Sequence, residues 1–414
     1  MLRYVNVIVT ANRMRHTLVP LQRQTKQKRM KTKEEQTTPK TDYEYLNALL
    51  QADEKDLLTH ELYILAQVLV DENVVNEPDA DRSLHYISEA AQHGHAAAER
   101  ELAKLIHTLQ GTVDETVYQL IERSARHGDS EAMAMIAELY DRGEYVEKDP
   151  QKCREWIWKA AESCCADACN WYALELMGRK RDEALPDGVQ SYNLKDINPI
   201  SLYWMLRGYR LGDTRLFEQF ATEDDYIDGM PDVVKITQRA ADAGEPQAMT
   251  EYGIYLCTEE IDKAKGYEYI QKAADLGNSS GKIYLSTKYE RDGDYSKSVE
   301  VYRKYSEEGN SQAMERLSLC YLNGLGVEKD IDKALYWSDR ALSSGDQTGV
   351  SGVFSFFHVM YRIWENDREN PLTLARTVNS AWDAAKFGDP YASYFLKTQL
   401  EEKEKENESS PDNE

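Results

Sequence analysis

A short phrase recurs along this 414-residue chain: an apolar helix end, then Gly, often an Asp or Asn, and usually Ala four residues after the Gly. It reads Glu-Ala-Ala-Gln-His-Gly at 89–94, Arg-Ala-Ala-Asp-Ala-Gly at 239–244, Lys-Ala-Ala-Asp-Leu-Gly at 272–277 and Asp-Ala-Ala-Lys-Phe-Gly at 383–388. Further copies end at Gly128, Gly212, Gly309 and Gly345, and in one more Cys164 stands in the Gly place. The steps between successive anchors are 34, 36, 48, 32, 33, 32, 36 and 43 residues. Periods in the low-to-mid thirties signal a stack of helix pairs, in which each unit buries its apolar face only against its neighbours. The fold class expected is therefore all-α: a right-handed α-α superhelix (solenoid) of helix-pair repeats.

The register within a unit has physical causes. Gly at a helix C-terminus takes the left-handed conformation that closes the helix. Asp129, Asn278, Asn310, Asp346 and Asp389 follow the anchor as N-caps, and Pro246 and Pro390 sit near the first helical position, where no N–H is needed. Four residues after the anchor come Ala98, Ala132, Ala168, Ala248, Ala313 and Ala392, with Gly281 and Gly349 as smaller equivalents. Small side chains there let adjacent helices approach closely.

Two stretches display the rest of the pattern. Residues 132–153 run Ala132, Ile136-Ala137, Tyr140, Gly143, Val146, Asp149 and Lys152-Cys153, leading to Trp156. Residues 313–334 run Ala313, Leu317-Ser318, Tyr321, Gly324, Gly326-Val327, Asp330 and Lys333-Ala334, leading to Trp337. This pattern resembles the Sel1-like repeat family, a relative of tetratricopeptide repeats with a Gly-x-Gly-Val turn between helices. The resemblance spans roughly residues 58–402, nine units plus a closing helix, and is weakest in the units ending at Gly128, Gly212, Gly244 and Gly388. The unit ending at Gly212 is the longest; its surplus lies in a loop over 179–199 that is either functional or mobile.

Charge is unevenly spread. The whole chain carries −23, but residues 1–33 hold nine Lys or Arg and no acid, so residues 34–414 carry −32. An acidic body repels nucleic acid and anionic membrane and favours basic partners, where charge steers anything at all. The organisation expected is a disordered basic leader over 1–42, the solenoid over 43–402 and an acidic disordered tail over 403–414. No stretch approaches the length of apolar chain needed for a membrane span. Six cysteines with no paired framework suit a reducing compartment, with cytoplasm the default. The alternatives are a mitochondrial presequence in the leader, or export without a readable signal.

No chemistry-bearing constellation emerges, so neither cofactor nor metal is expected. Cys164 takes an anchor place, Cys153 the small place that begins a second helix, and Cys169 an apolar core place held by Met133, Met249 and Met314 elsewhere. His93 and His127 precede the Gly in successive units, where polar or cationic groups suit the negative helix end. Tyr86, Trp156, Tyr269 and Trp337 share one register and are expected as core between units. Gly324-Leu325-Gly326 has no strand before it and is a turn, not a nucleotide loop.

The function expected is a non-catalytic scaffold or adaptor for protein or peptide partners. Positions two, six and nine residues after the Ala form one stripe on the first helix, expected to be exposed on the concave face. The stripe carries Glu138 and Asp141; Thr250 and Ile254; Ile283, Thr287 and Glu290; and Glu315, Leu319 and Leu322. A mixed apolar and acidic groove suits a peptide with basic and apolar anchors. The rival readings are a host-interacting effector and an enzyme, or an enzyme's regulatory subunit, built on the same scaffold.

Overall fold

The computed structural model describes residues 39–71, 78–178, 198–220, 223–344 and 352–409. They form two compact units. A central unit holds Gly94–Ala313 and Ser344; a flanking unit joins the residues up to His93 with Met314–Ser343 and those from Gly352 onward. Both are helical repeats, and the one sheet among the described residues is a two-residue hairpin, Tyr226–Ile227 with Met230–Pro231. The expected 1–42 leader lies mostly outside the described residues, as does nearly all of the 179–199 loop, together with Asp346 and Gly349. The last helix runs to Ser409, past the boundary expected at residue 402.

The central unit contains α4 (Ala96–Gln110), α5 (Glu115–Arg126), α6 (Ser130–Arg142), α7 (Pro150–Glu162), α8 (Ala166–Leu176), α9 (Pro199–Arg210) and α10 (Arg215–Phe220). It continues with α11 (Val233–Asp242), α12 (Pro246–Thr258), α13 (Lys263–Asp275), α14 (Ser279–Arg291) and α15 (Tyr295–Glu307). Each anchoring Gly among the described residues has positive φ, and Cys164 shares that conformation at φ 68°. The small residue four places on is buried throughout: Ala98, Ala132, Ala168, Ala248, Ala313 and Ala392 are all fully inaccessible. The cap between them does two jobs. Asp129 accepts from the Ala132 N–H at 2.7 Å and from Arg100 Nε, 29 residues earlier, at 3.0 Å. Asn278 accepts from the Gly281 N–H at 2.7 Å and from the Thr250 hydroxyl, 28 residues earlier, at 2.8 Å. The residue that starts a helix therefore also fixes the spacing to the previous repeat.

Turns between paired helices follow the expected pattern with one substitution. Gly324 and Gly326 have φ of 71° and 69°, and Gly143 has 70°; in the place of the second Gly the earlier turn has Tyr145, at φ 64°. The same bond closes both turns, from Asp330 N–H to Tyr321 O at 3.0 Å and from Asp149 N–H to Tyr140 O at 3.1 Å. Tyr145 adopts a conformation L-residues disfavour, held by its ring against Tyr118 and its hydroxyl on Glu115.

Repeat neighbours do not supply all the packing. In the central unit the turn ending α5 meets the turn ending α15: a Cβ on Gly309 would lie 2.4 Å from Arg126 O, and one on Gly128 would lie 2.5 Å from Gly309 O. The Asn278 amide also donates to Glu162 Oε1 at 2.8 Å, 116 residues away.

The flanking unit contains α1 (Pro39–Gln51), α2 (Thr59–Val68), α3 (Ala80–Gln92), α16 (Ser311–Asn323, from Met314 on), α17 (Ile331–Leu342), α18 (Val353–Asn366), α19 (Pro371–Lys386) and α20 (Pro390–Ser409). Here α1 packs on α19 and α2 on α17. At the start of α2 Glu61 accepts locally from the Leu58 N–H at 2.8 Å, while the next N–H groups are capped from afar by Asp339, which accepts from Thr59 N and His60 N at 3.2 Å each and lies 2.6 Å from His60 Nδ1. Burial pushes the Asp339 carboxyl up, but the hydrogen bonds from His60 and Thr59 outweigh it and hold the group below its ordinary value. Fully buried Glu61 receives Arg376 Nε at 2.7 Å and the Tyr45 hydroxyl at 3.0 Å. The expectation that units bury themselves only against sequence neighbours is thus corrected at both places.

Candidate functional site

The expected stripe does not form one exposed surface. Thr250, Ile283 and Leu322 are buried, at 1%, 5% and 5% exposure. These positions were expected to face solvent, and the correction has a physical cause. Inner helices here are covered on two sides, by their own partner helix and by other repeats, as the Thr250–Asn278 bond illustrates. Nearly every residue of α12 from Gln247 to Cys257 is buried or half-buried. Ile254 is half-buried, and so are Glu138, Thr287, Glu290 and Glu315. Glu290 accepts from Tyr302 at 2.8 Å and Glu315 from the Gly352 N–H at 3.4 Å. Asp141 alone among the ten is exposed, 3.6 Å from Lys148.

Leu319 and Leu322 are brought together, in the flanking unit, and they line a cavity of about 910 Å³ between α16, α18 and α20. Its floor is aromatic. Trp364, Phe395 and Tyr361 meet with ring centroids 5.3–5.8 Å apart, and Phe357 lies 6.1 Å from Phe395. The offset and edge-to-face arrangement of these rings is the favoured one for aromatic clusters. Phe357 is 1% exposed and Phe395 4%, whereas Tyr391 and Tyr394 on the rim are 71% and 70% exposed. The two rings therefore stand open on one helix face above a packed floor.

Repeat register positions these side chains. Asp389 caps α20 through the Tyr391 and Ala392 N–H groups and takes His358 Nε2 at 3.2 Å, which holds α20 beside α18. Tyr394 and Thr398 stand two and six residues after Ala392, and His358 nine after Gly349. Thr398 and His358 occupy the same offsets as Leu319 and Leu322, and Tyr394 that of Glu315, so extending the stripe past residue 322 would have found them. Tyr361, Trp364 and Arg368 carry no such signal.

The groove's charge departs from that of the chain. Arg362 pairs with Glu365 at 2.9 Å on one rim. Arg368 lies over the Trp364 ring at 4.8 Å and pairs with no carboxylate among the described residues. Burial in the groove and the neighbouring Glu365 push the Tyr361 phenol above its ordinary value.

The other candidates stay apart from this site. Cys169 and Cys165 are buried and their thiols pushed up by burial, the latter to about 12. Cys164 accepts from Arg207 Nη2 at 3.2 Å. His127 sits 2.8 Å from Glu99, while His93 is exposed beside Glu89. Tyr86 and Tyr269 are buried as expected, but Trp156 and Trp337 are half-buried, with Lys159 and Arg340 over their rings. Among the described residues, no three His, Cys, Asp or Glu gather as a metal-binding set, and no helix is long and apolar enough to cross a membrane.

A family model described as the Sel1 repeat matches residues 77–95, 130–163, 246–278 and 311–346. No curated protein sequence matches the chain significantly. Among solved structures, it is similar to a Sel1 repeat protein from Oxalobacter formigenes at 19% identity, covering 85% of this chain and 99% of that one, with a TM-score of 0.32. It is similar also to c5321, a protective antigen of uropathogenic Escherichia coli strains displaying an SLR fold, at 19% identity, covering 86% and 88%, with a TM-score of 0.27. A human IFIT1 dimer with PPP-AAAA matches at 12% identity over 89% and 86%, with a TM-score of 0.33. The placement of the repeats rests on the four matched stretches, the last of which contributes Leu319 and Leu322 to the groove.

Proposed function

We propose, from the premise that this chain is a Sel1-like repeat protein, that it is a non-catalytic scaffold or adaptor which holds a protein or peptide partner in the groove between α16, α18 and α20. Sel1 repeats are generally protein-interaction scaffolds and generally non-catalytic. The observation that carries the reading is the open tyrosine pair, Tyr391 and Tyr394, above the packed floor of Phe357, Trp364 and Phe395. Aromatic side chains beside a desolvated pocket dominate the energetics of protein interfaces. A groove of this size takes a few side chains of an extended or helical segment. The cytoplasmic placement proposed with it draws support from six cysteines that are all free.

Selection of a random peptide display library on the full chain tests this reading. Peptides enriched on the wild-type protein should bind the Tyr391→Ser/Tyr394→Ser variant at least tenfold more weakly, with stability changed by no more than about 1 kcal/mol. Enriched peptides that bind both proteins equally would place the partner site elsewhere.

A further inference from the structure

Resting on the reading of the groove as a partner site, we infer that its occupant is an acidic–apolar peptide segment of another protein, with a large apolar side chain entering the aromatic floor and a neighbouring carboxylate meeting Arg368. The net charge of the chain, −23, points the other way and favours basic partners. Local charge decides at contact distance, because charges farther than about 8 Å are largely screened at physiological salt.

The charged side chains lining the groove are Arg362, Glu365 and Arg368. The first two neutralise each other at 2.9 Å, which leaves Arg368 as the surplus charge among the lining side chains; its chain neighbours Asp367 and Glu369 do not line the groove. Its guanidinium carbon lies over the Trp364 ring at 4.8 Å, a contact that holds the group at the groove, and no N–H donor of the Arg368 side chain has a hydrogen-bond acceptor among the described residues. A guanidinium held this way is preorganised for two parallel bonds to a carboxylate. The imidazole of His358 is already engaged by Asp389, and Asn323 donates to Leu319 O, so neither offers a competing anionic contact. A basic segment would bring its charge to an unneutralised arginine; an acidic one would complete the pair.

Two labelled 12-residue probes test this on the full chain. One has Leu and Trp anchors flanked by Glu; its twin has Lys at every Glu position. The Glu peptide should bind at least tenfold more tightly than the Lys twin, Arg368→Glu should reverse that order, and Tyr391→Ser/Tyr394→Ser should weaken the Glu peptide at least tenfold. Equal or tighter binding of the Lys twin, or an unmoved ratio in Arg368→Glu, overturns the acidic occupant. If the tyrosine variant weakens both peptides while their charge makes no difference, the groove stands as a partner site and only the acidic assignment falls. If neither peptide binds, or both bind without regard to the tyrosines, the groove reading falls and this inference with it. Arg368→Gln, which keeps a planar group over Trp364, separates loss of charge from loss of packing: it should lower the Glu preference without changing the melting temperature.

Discussion

The inner helices of the central unit and those of the flanking unit share one register, yet they end in opposite surfaces. At the second position after the small residue the central unit has Thr250 and Ile283, both buried, and a web of polar bonds from Asn278 to Thr250, Gln247 and Glu162 fills the space beside them. At that same position the flanking unit has Glu315, half-buried, and Tyr394, 70% exposed; Tyr394 borders an open cavity of about 910 Å³ together with Leu319 and Thr398 from the sixth position and His358 from the ninth. The repeat fixes where a side chain stands. Its chemistry then decides whether the helices close on each other or leave a gap for something else.

The contrast can be broken most severely in the central unit. Arg100 is 1% exposed and Asp129 fully buried; removing one partner of such a pair leaves an uncompensated charge inside. Arg100→Ala should therefore cost about 3–5 kcal/mol in urea unfolding. A loss below about 1 kcal/mol would mean that the inner layer of that unit is wetter than its burial indicates.

Glycines sharpen the comparison within one unit. Gly309 and Gly277 both have positive φ, but only Gly309 faces backbone, with Arg126 O 2.4 Å from its would-be Cβ. Gly277→Ala should cost about 1 kcal/mol from conformation alone, and Gly309→Ala about 3 kcal/mol because overpacking adds to it. Equal midpoints for the two variants would show that the turns after α5 and α15 do not meet.

Acidity separates the two regions further. Glu162, inside the central web, has its carboxyl pushed up to about 7 by burial, with Glu245 adding to the rise against Arg207 and Asn278. Its folded value lies above its unfolded one, so its contribution to stability is complete below about pH 4.5 and is lost as pH rises through about 7. Discounted for partial exposure, the effect is on the order of 2 kcal/mol. Glu162→Gln should flatten that part of the stability profile while keeping an acceptor for Asn278; an unchanged slope between pH 4.5 and 7 would assign the titration to another group.

The smallest expected change is at the rim. Tyr391→Ser and Tyr394→Ser, at 71% and 70% exposure, should each move stability by only about 0.5 kcal/mol. A larger shift in thermal unfolding would make these rings part of the fold and not of a binding surface.

How far the sequence predicted all this depends on distance along the chain. Contacts within a repeat were legible: the buried Ala row, the caps at Asp129, Asn278, Asn310 and Asp389, and the positive φ of Gly326 follow from local rules of helix starts and stops. Cys164 was legible from the register as the residue in a Gly place, and it takes that conformation beside Arg207; Tyr145, which stands in a Gly conformation held by Tyr118 and Glu115, was not. Contacts between distant repeats were not legible. Thr250 reads as a surface residue until Asn278 reaches it, and nothing near Thr59 announces that its cap will come from Asp339. The groove was half seen, through Leu319 and Leu322, because its aromatic wall belongs to repeats whose own pattern is weak.

The cap that Asp339 gives to α2 has a consequence for how the chain is made. Ribosomes extend chains at about 5–20 residues per second, so roughly 15–60 seconds separate the synthesis of His60 from that of Asp339, 279 residues later. Through that interval α2 emerges with the N–H groups of Thr59 and His60 uncapped, and Glu61 without Arg376, 315 residues ahead. Leu62, Leu65 and Ala66, buried in the finished molecule, are then without the part of their cover that comes from the distant helices. Chaperones that shield nascent apolar surface should engage the first helices most strongly. A ribosome that stops before residue 339 would release a product in which α2 still has α3 beside it but lacks Asp339, Arg376 and the far side of its packing.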